Sequence, residues 1–249
     1  ARGVSCLVTA SQPLGYREED VLPLGGLPLG PDGTGPATDL FLASARRADA
    51  AFELTPADAE HLVELHRLTG GLPLALELAA AWVTVMPVSG IAEALSADVA
   101  FLASPLRDAP ARHRSLIAVF ERAWSLLDEH SRRQLRRVAA FRGPFDRAAA
   151  GALGVGLEDL AALCRRSLLA RLPSGRFVCQ PTLRTWLDAR SGDDPSATAE
   201  ARDRHAHHFL ARARAAAQAF DTRDGGRWLA ELDDERADLL AAIAWCWER

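Results

Sequence analysis

The chain has 249 residues, 49% of them hydrophobic, so it can bury a sizeable core. Its net charge of -4 argues against chain-wide attraction to nucleic acid or to an anionic membrane. No apolar run approaches the roughly 20 residues of a membrane helix and no signal-peptide pattern opens the sequence, so a cytoplasmic location is expected.

The chain contains no lysine: all 29 basic residues are arginine, which excludes any motif that requires a lysine. A P-loop requires the lysine of G-x-x-x-x-G-K-[ST], so this chain holds no Walker A motif. The sequence also contains no Gly-x-Ser-x-Gly, no HExxH and no informative Cys/His dyad. No catalytic residue and no metal ligand are predicted, and the chain by itself is expected to catalyse nothing.

Residues 1–30 open with an apolar stretch and continue as a segment rich in glycine and proline. Val4, Cys6, Leu7 and Val8 are typical of a buried strand in a parallel sheet. One parallel strand cannot stand alone, so the sequence predicts a remnant of an α/β domain whose other strands lie upstream. Residues 30–36 then form an exposed loop.

Residues 31–107 have the punctuation of a small helical bundle. A first helix begins near Ala37, and a second is predicted to be capped by Thr55 with Pro56 at its first position. The second is predicted to end at Gly70-Gly71, and Pro73 is predicted to open the third. A short fourth helix precedes a proline-rich linker.

Residues 108–192 follow the order of a winged helix. Two helices broken near Leu127-Asp128 precede two more helices, a hairpin around a Pro-Ser-Gly turn, and a helix from Thr182 to about Ala189. In residues 193–249 a polar linker, SGDDPSATAE, leads into amphipathic helices that suit the start of an α-solenoid. The predicted fold class is mainly α: a helical lid bundle, a winged helix, the start of a solenoid, and a remnant strand of a P-loop α/β domain.

Five segments in this order resemble the STAND-type ATPases, which include plant NB-ARC disease-resistance proteins and bacterial AfsR-like and LuxR-like transcription regulators. GGLPLALELAAAW resembles their GLPL motif, and a lone GLPL would be a weak signal. The other segments resemble the sensor strand after Walker B, the following Leu-Pro run, the winged helix with its Met-His-Asp region, and the head of a repeat domain: LVTASQPLG, VLPLGGLPL, SLIAVFERAWSLLDEHSRRQLRRVAAF with SLLARLPSGRFVCQPTLRTWLDAR, and RHAHHFLARA through LDDERADLLAAIAW.

The resemblance implies that Pro73, with Leu72 beside it, contacts the base of a bound nucleotide. Ser11 stands where the family has an arginine that reads the γ-phosphate. Cys179, Gln180 and Pro181 stand where it has Met-His-Asp, whose histidine contacts the ADP β-phosphate. Gln180 can donate a hydrogen bond but carries no charge.

The implied function is the regulatory portion of an ATP/ADP-switched signalling protein, and its expected output is transcriptional regulation. The lid and winged helix would hold nucleotide until an inducer acts on the repeats, and the missing upstream domain would supply the Mg-nucleotide site. This fragment is not expected to bind ADP or ATP tightly, and oligomerisation on activation is an open expectation. The alternatives are a nucleotide-independent scaffold, which Ser11 and Gln180-Pro181 favour, and a DNA-binding winged helix.

Three further charged patterns favour an ordinary surface. His205 and His208 share a helical face, but no acid stands at ligand spacing beside them, so a solvated helix is favoured over a metal site. The arginines of SRRQLRRV are predicted to form an outer face paired with Asp128 and Glu129, and direct DNA binding is not expected. The acidic run 233–235 is likewise predicted to be solvated.

Overall fold

The structure is a computed structural model that describes residues 6–10, 13–22, 24–102, 116–220 and 225–248. Within these ranges the fold is mainly helical, with one small two-stranded antiparallel sheet, and this confirms the predicted class of a helical bundle with a β-hairpin. The elements in chain order are α1 Pro36–Ala48, α2 Asp58–Thr69, α3 Pro73–Ala80, α4 Val88–Ala97, α5 Leu116–Ser125, α6 Glu129–Val138, α7 Arg147–Ala152, α8 Leu157–Arg165, β1 Leu169–Arg171, β2 Phe177–Cys179, α9 Pro181–Ala189, α10 Pro195–Ala219, α11 Gly225–Asp234 and α12 Arg236–Trp247.

The chain divides into two compact units. The larger unit consists of residues 25–140 and 179–203, and the smaller unit consists of residues 1–24, 141–178 and 204–249 as far as they are described. The boundaries predicted after residues 30, 107 and 192 stay predictions.

The larger unit is built on paired helices, with α1 packed on α3 and α2 packed on α4. Phe41, Leu65 and Ile91 are fully buried between them. Burial of each such side chain contributes roughly 1.5–3 kcal/mol, which is the main force holding short helices together. Helix α6 starts where Asp128 accepts a hydrogen bond from the Ser131 N–H at 2.7 Å, as expected of an N-cap aspartate.

The smaller unit has an aromatic core beside a hairpin. Phe141 stacks on Phe145 with ring centroids 4.0 Å apart, and Phe209 of α10 meets Phe141 edge-on. The hairpin turns at Gly175, where φ is +83°. Phe145 extends the hairpin by pairing with Phe177, each donating its N–H to the other's carbonyl at 2.7–2.8 Å.

The prediction of a buried strand at Cys6–Val8 is wrong for this chain. These residues are irregular, and Leu7 is 97% exposed. A strand needs a neighbour to accept its N–H groups, and no other strand among the described residues pairs with this stretch. Val4 and Ser11 lie outside the described residues.

The segment predicted as a polar linker is largely helical. A short 3-10 turn spans Ser191–Asp193, and Pro195 then opens the 25-residue helix α10. Asp194 accepts a hydrogen bond from the Ala197 N–H at 3.1 Å. An N-cap aspartate followed by proline is a strong helix start, which outweighs the polar composition. Within the described ranges no helix has both the length and the apolarity to cross a bilayer.

Candidate functional site

The candidate site centres on the turn between α2 and α3. Gly70 and Gly71 both adopt left-handed conformations, with φ of +62° and +66°. Their N–H groups both donate to the carbonyl of His66, which ends α2 at the predicted place. Leu72 then caps α3 and Pro73 occupies its first position. Glycine is the residue that adopts two successive positive φ values at little cost.

The backbone of residues 26–27 lies directly on this turn. The Leu27 N–H donates to the Gly71 carbonyl at 2.7 Å, and the Leu27 carbonyl accepts from His66 Nε2 at 2.8 Å. A Cβ atom on Gly71 would overlap the Leu27 carbonyl, and one on Gly26 would overlap the Gly70 carbonyl. Gly26 and Gly71 therefore have a structural reason to be glycine within the chain itself.

The start of α9 meets the same turn. A Cβ atom built on Gly70 would lie 3.2 Å from Pro181 Cδ and 3.4 Å from Gln180 Oε1. Helix α2 packs against α9, which brings these distant segments together. We call the group formed by residues 26–27, 70–71 and 180–181 the glycine junction.

Two polar atoms at the start of α9 are buried without a hydrogen-bond partner in the described part of the chain. They are Gln180 Oε1 and Thr182 Oγ1. Thr182 is 1% exposed, so its hydroxyl has no access to bulk water. Buried unsatisfied oxygens are uncommon, and each costs roughly 1–3 kcal/mol.

The sequence-predicted site residues fall into three groups. Gln180 lies in the glycine junction, as just described. Leu72 is half-buried and Pro73 is exposed at the start of α3, directly after the junction. Ser11 lies outside the described residues, so its position relative to the others stays untested. Sequence reasoning missed His66 and Leu27, which are joined by a hydrogen bond between residues 39 positions apart.

A second cluster, in the smaller unit, surrounds Asp238. This carboxylate is 0% exposed and accepts hydrogen bonds from the Arg142 N–H at 2.6 Å and the Gly143 N–H at 3.1 Å. His205 Nε2 lies 2.9 Å from the same carboxylate, and His205 is 3% exposed. The prediction that the RHAHH helix is solvated is therefore wrong for His205, because an acid distant in sequence buries it.

Glu235 is also buried, which contradicts its prediction as part of a solvated acidic run. It accepts a hydrogen bond from Arg212 Nε at 2.6 Å, and Arg176 lies 3.9 Å away. Arg212 also binds Glu231 at 2.9 Å, which places the guanidinium between two carboxylates. Burial, with the Arg212 charge adding to it, lowers the pKa of His208.

Three arginines of α6 lie near carboxylates, and of the two acids predicted to pair with them Glu129 is confirmed. Glu129 lies 4.0 Å from Arg132 and 3.9 Å from Arg136. Arg136 and Arg137 also line a cleft of about 320 Å³ that contains two acidic side chains within ion-pair distance, Asp194 and Glu200. The two acids offset two of the three arginine charges that line the cleft, so it carries little net charge with which to attract a phosphate.

Metal binding finds no support in the described ranges, where no three His, Cys, Asp or Glu side chains converge as ligands.

No family model matches the chain. A protein of Mycobacterium tuberculosis strain H37Rv, provisionally named an HTH-type transcriptional regulator, is 30% identical over 253 aligned residues. A Mycobacterium bovis protein with the same provisional name matches equally well. Both alignments cover 97% of this chain but only 28% of the relative. An uncharacterised M. tuberculosis protein is 31% identical over 145 residues, which is 58% of this chain and 37% of that protein. The chain is thus similar, over nearly its whole length, to a segment spanning under a third of these named regulators.

Proposed function

We propose that this chain is the regulatory segment of a STAND-type transcriptional regulator, in which the helices around the glycine junction hold ADP against an upstream nucleotide-binding domain. The observation that carries the proposal is the close approach of Gly70 to Gln180 and Pro181, where a Cβ atom built on Gly70 would lie 3.4 Å from Gln180 Oε1 and 3.2 Å from Pro181 Cδ. It joins the two segments that resemble the GLPL and Met-His-Asp motifs. The similarity to provisionally named transcriptional regulators supports a transcriptional output.

The chemistry of the junction suits an anionic ligand with an apolar base. Helices α3 and α9 begin at Pro73 and Pro181, and helix N-termini favour negative charge. Pro73 offers an exposed, rigid apolar face. Gln180 offers an amide that can donate a hydrogen bond, in place of a charge. Because the chain has no lysine, the P-loop and the Mg-nucleotide chemistry would come from the upstream domain.

In this scheme ADP favours the closed arrangement because it binds lid and upstream domain together. An inducer acting on the C-terminal helices would favour the open one. A ligand shifts such an equilibrium only by its differential affinity for the two arrangements. The proposal therefore requires that ADP affinity depend on Pro73 and Gln180.

The test is calorimetric titration of the full-length protein with ADP. Pro73→Ala is expected to weaken ADP roughly three- to tenfold, since one apolar contact is worth about 1 kcal/mol. Pro36→Ala is the matched control, because Pro36 is also exposed and at the first position of a helix, α1. Equal ADP affinity for wild type and Pro73→Ala would refute the contact. RNA sequencing of cells that carry the wild-type protein or either variant measures the transcriptional output.

A second candidate is a nucleotide-independent scaffold, which one observation favours. Gln180 and Pro181 provide neither a positive charge nor a carboxylate at the glycine junction, and the turn is filled by the chain's own residues 26–27. For this candidate the full-length protein binds no ADP. Gln180→His, which supplies an imidazole at the junction, then creates no ADP binding either, whereas a weakened switch would gain affinity.

A further inference from the structure

We infer that Asp238 and Glu235 form a polar latch that fastens α12 within the smaller unit, and that α12 opens as a local element when the latch is released. The role of this opening in signalling rests on the proposed function, while the latch itself does not. The group comprises two carboxylates on or next to α12 and their partners on three other segments.

The first argument is the number of hydrogen bonds that Asp238 and Glu235 form at the start of α12. Asp238 receives two backbone N–H groups from the loop after α6 and lies beside His205 of α10. Glu235, the residue before α12, binds Arg212 of α10. The start of α12 is therefore tied to α10 and to residues 142–143.

The second argument is the scarcity of apolar burial on α12. Its buried residues are Asp238 and Ala242, which lie one turn apart on the inner face. Leu240, Ile243 and Trp247 form a stripe on the opposite face, and Trp247 is 86% exposed. An ordinary surface helix buries its apolar stripe and exposes its charges. Helix α12 instead buries the Asp238 carboxylate and exposes this apolar stripe, while Leu239 and Trp245 are half-buried, so its docking depends largely on charge and hydrogen bonding.

These two features together predict local opening. A helix with few buried apolar contacts lies at the low end of local stability in a protein. The Asp238 carboxylate accepts from the Arg142 and Gly143 N–H groups through its two oxygens, and an amide in its place would turn an NH2 group toward one of these donors, which leaves that donor buried and unpaired. Loss of the Asp238 charge should therefore release α12 without unfolding the aromatic core around Phe141 and Phe209.

The release would also change what the protein presents to its surroundings. The inner face of α12 covers His205 and the 142–143 loop through Asp238, and opening would expose both. Arg176 of the hairpin also forms a 3.4 Å ion pair with Asp234 at the end of α11. In the proposed regulator, opening of α12 would therefore weaken the contacts between the C-terminal helices and the winged-helix hairpin.

The test is amide hydrogen exchange with mass spectrometry on the full-length protein without nucleotide. Asp238→Asn keeps the shape of the side chain and removes its charge. Exchange of residues 236–247 is expected to rise tenfold or more, while exchange in α7 and α8 stays unchanged. Asp233→Asn is the matched control, since Asp233 is an exposed aspartate in the preceding helix, and it should leave exchange of α12 as in wild type.

Two results would overturn the latch. One is unchanged exchange of α12 in Asp238→Asn. The other is an equal rise across the whole smaller unit, which would make Asp238 a general stability residue. His205→Gln, alone and combined with Asp238→Asn, provides a second measurement: a latch predicts that the double variant exchanges no faster than Asp238→Asn. Because no nucleotide is present, failure of ADP binding in the titration would leave this outcome unaffected.

Discussion

Substitution of Gly71 by alanine tests the glycine junction most directly. The new side chain meets two obstacles. The first is the left-handed backbone, where φ is +66°. The second is steric, because its Cβ would overlap the Leu27 carbonyl and lie 2.9 Å from His66 Nε2. The segment at Leu27 must therefore move away.

The magnitude follows from these two obstacles. A left-handed alanine costs roughly 1–2 kcal/mol. Displacement of Leu27 breaks its two hydrogen bonds, at 2.7 and 2.8 Å, and each contributes roughly 0.5–1.5 kcal/mol. Gly71→Ala should thus lower the free energy of unfolding of the larger unit by roughly 2–5 kcal/mol.

Gly33 provides the matched control for the backbone cost. Its φ is +76°, it belongs to the same unit, and a Cβ there would meet Ala59 only at ordinary contact distances of 3.4–3.6 Å. Gly33→Ala should therefore lower the free energy of unfolding only by the cost of a left-handed alanine, roughly 1–2 kcal/mol. The difference between the two variants isolates the Leu27 contact.

The assay is native-state hydrogen exchange in increasing urea, read on peptides that cover α2 and α3. It reports the free energy of opening of these helices without interference from the smaller unit. Values for Gly71→Ala and Gly33→Ala that agree within about 0.5 kcal/mol, the usual error of such comparisons, would refute the steric argument.

Three further outcomes are expected. Because burial lowers the pKa of His208 in the folded state, the unfolded state binds more protons below about pH 6.5, so stability should fall as pH drops through that range; His208→Gln should flatten this slope in thermal unfolding between pH 5 and 7. Phe41→Ala should cost roughly 3–5 kcal/mol in urea unfolding, since Phe41 is fully buried, and a smaller loss would mean the site collapses around the gap. Burial raises the pKa of the Cys164 thiol, so it should react with a disulfide reagent roughly tenfold more slowly than exposed Cys246, and equal rates would contradict the burial.

Local chemistry made several helix ends of the larger unit predictable, although α2 begins at Asp58 and not, as predicted, at Pro56. A glycine after the last turn of α2 and a proline at the first position of α3 act within a few residues, so Gly70 and Pro73 stand where the sequence predicted. The break before Glu129 is equally local, because Asp128 caps its own helix.

Contacts between segments that are distant in the chain could not be predicted from the sequence. No local sequence pattern indicates that a histidine and an aspartate 33 positions apart will pair. His205 was therefore predicted to be solvated, although it is buried against Asp238. The approach of Leu27 to Gly71 uses backbone atoms, which every residue possesses. The error at Leu7 has a different origin, since an apolar run predicts a strand only when a sheet is present to receive it.

The backbone contact at the glycine junction also determines which positions homologues can substitute. Leu27 is held by its own N–H and carbonyl, so any residue except proline, which lacks the N–H, can keep both hydrogen bonds. Gly26 and Gly71 have no such freedom, because a Cβ at either would overlap a carbonyl. Homologues should therefore vary at position 27 and retain glycine at 26 and 71, which makes the spacing of the glycines a better search pattern than the leucines and prolines between them.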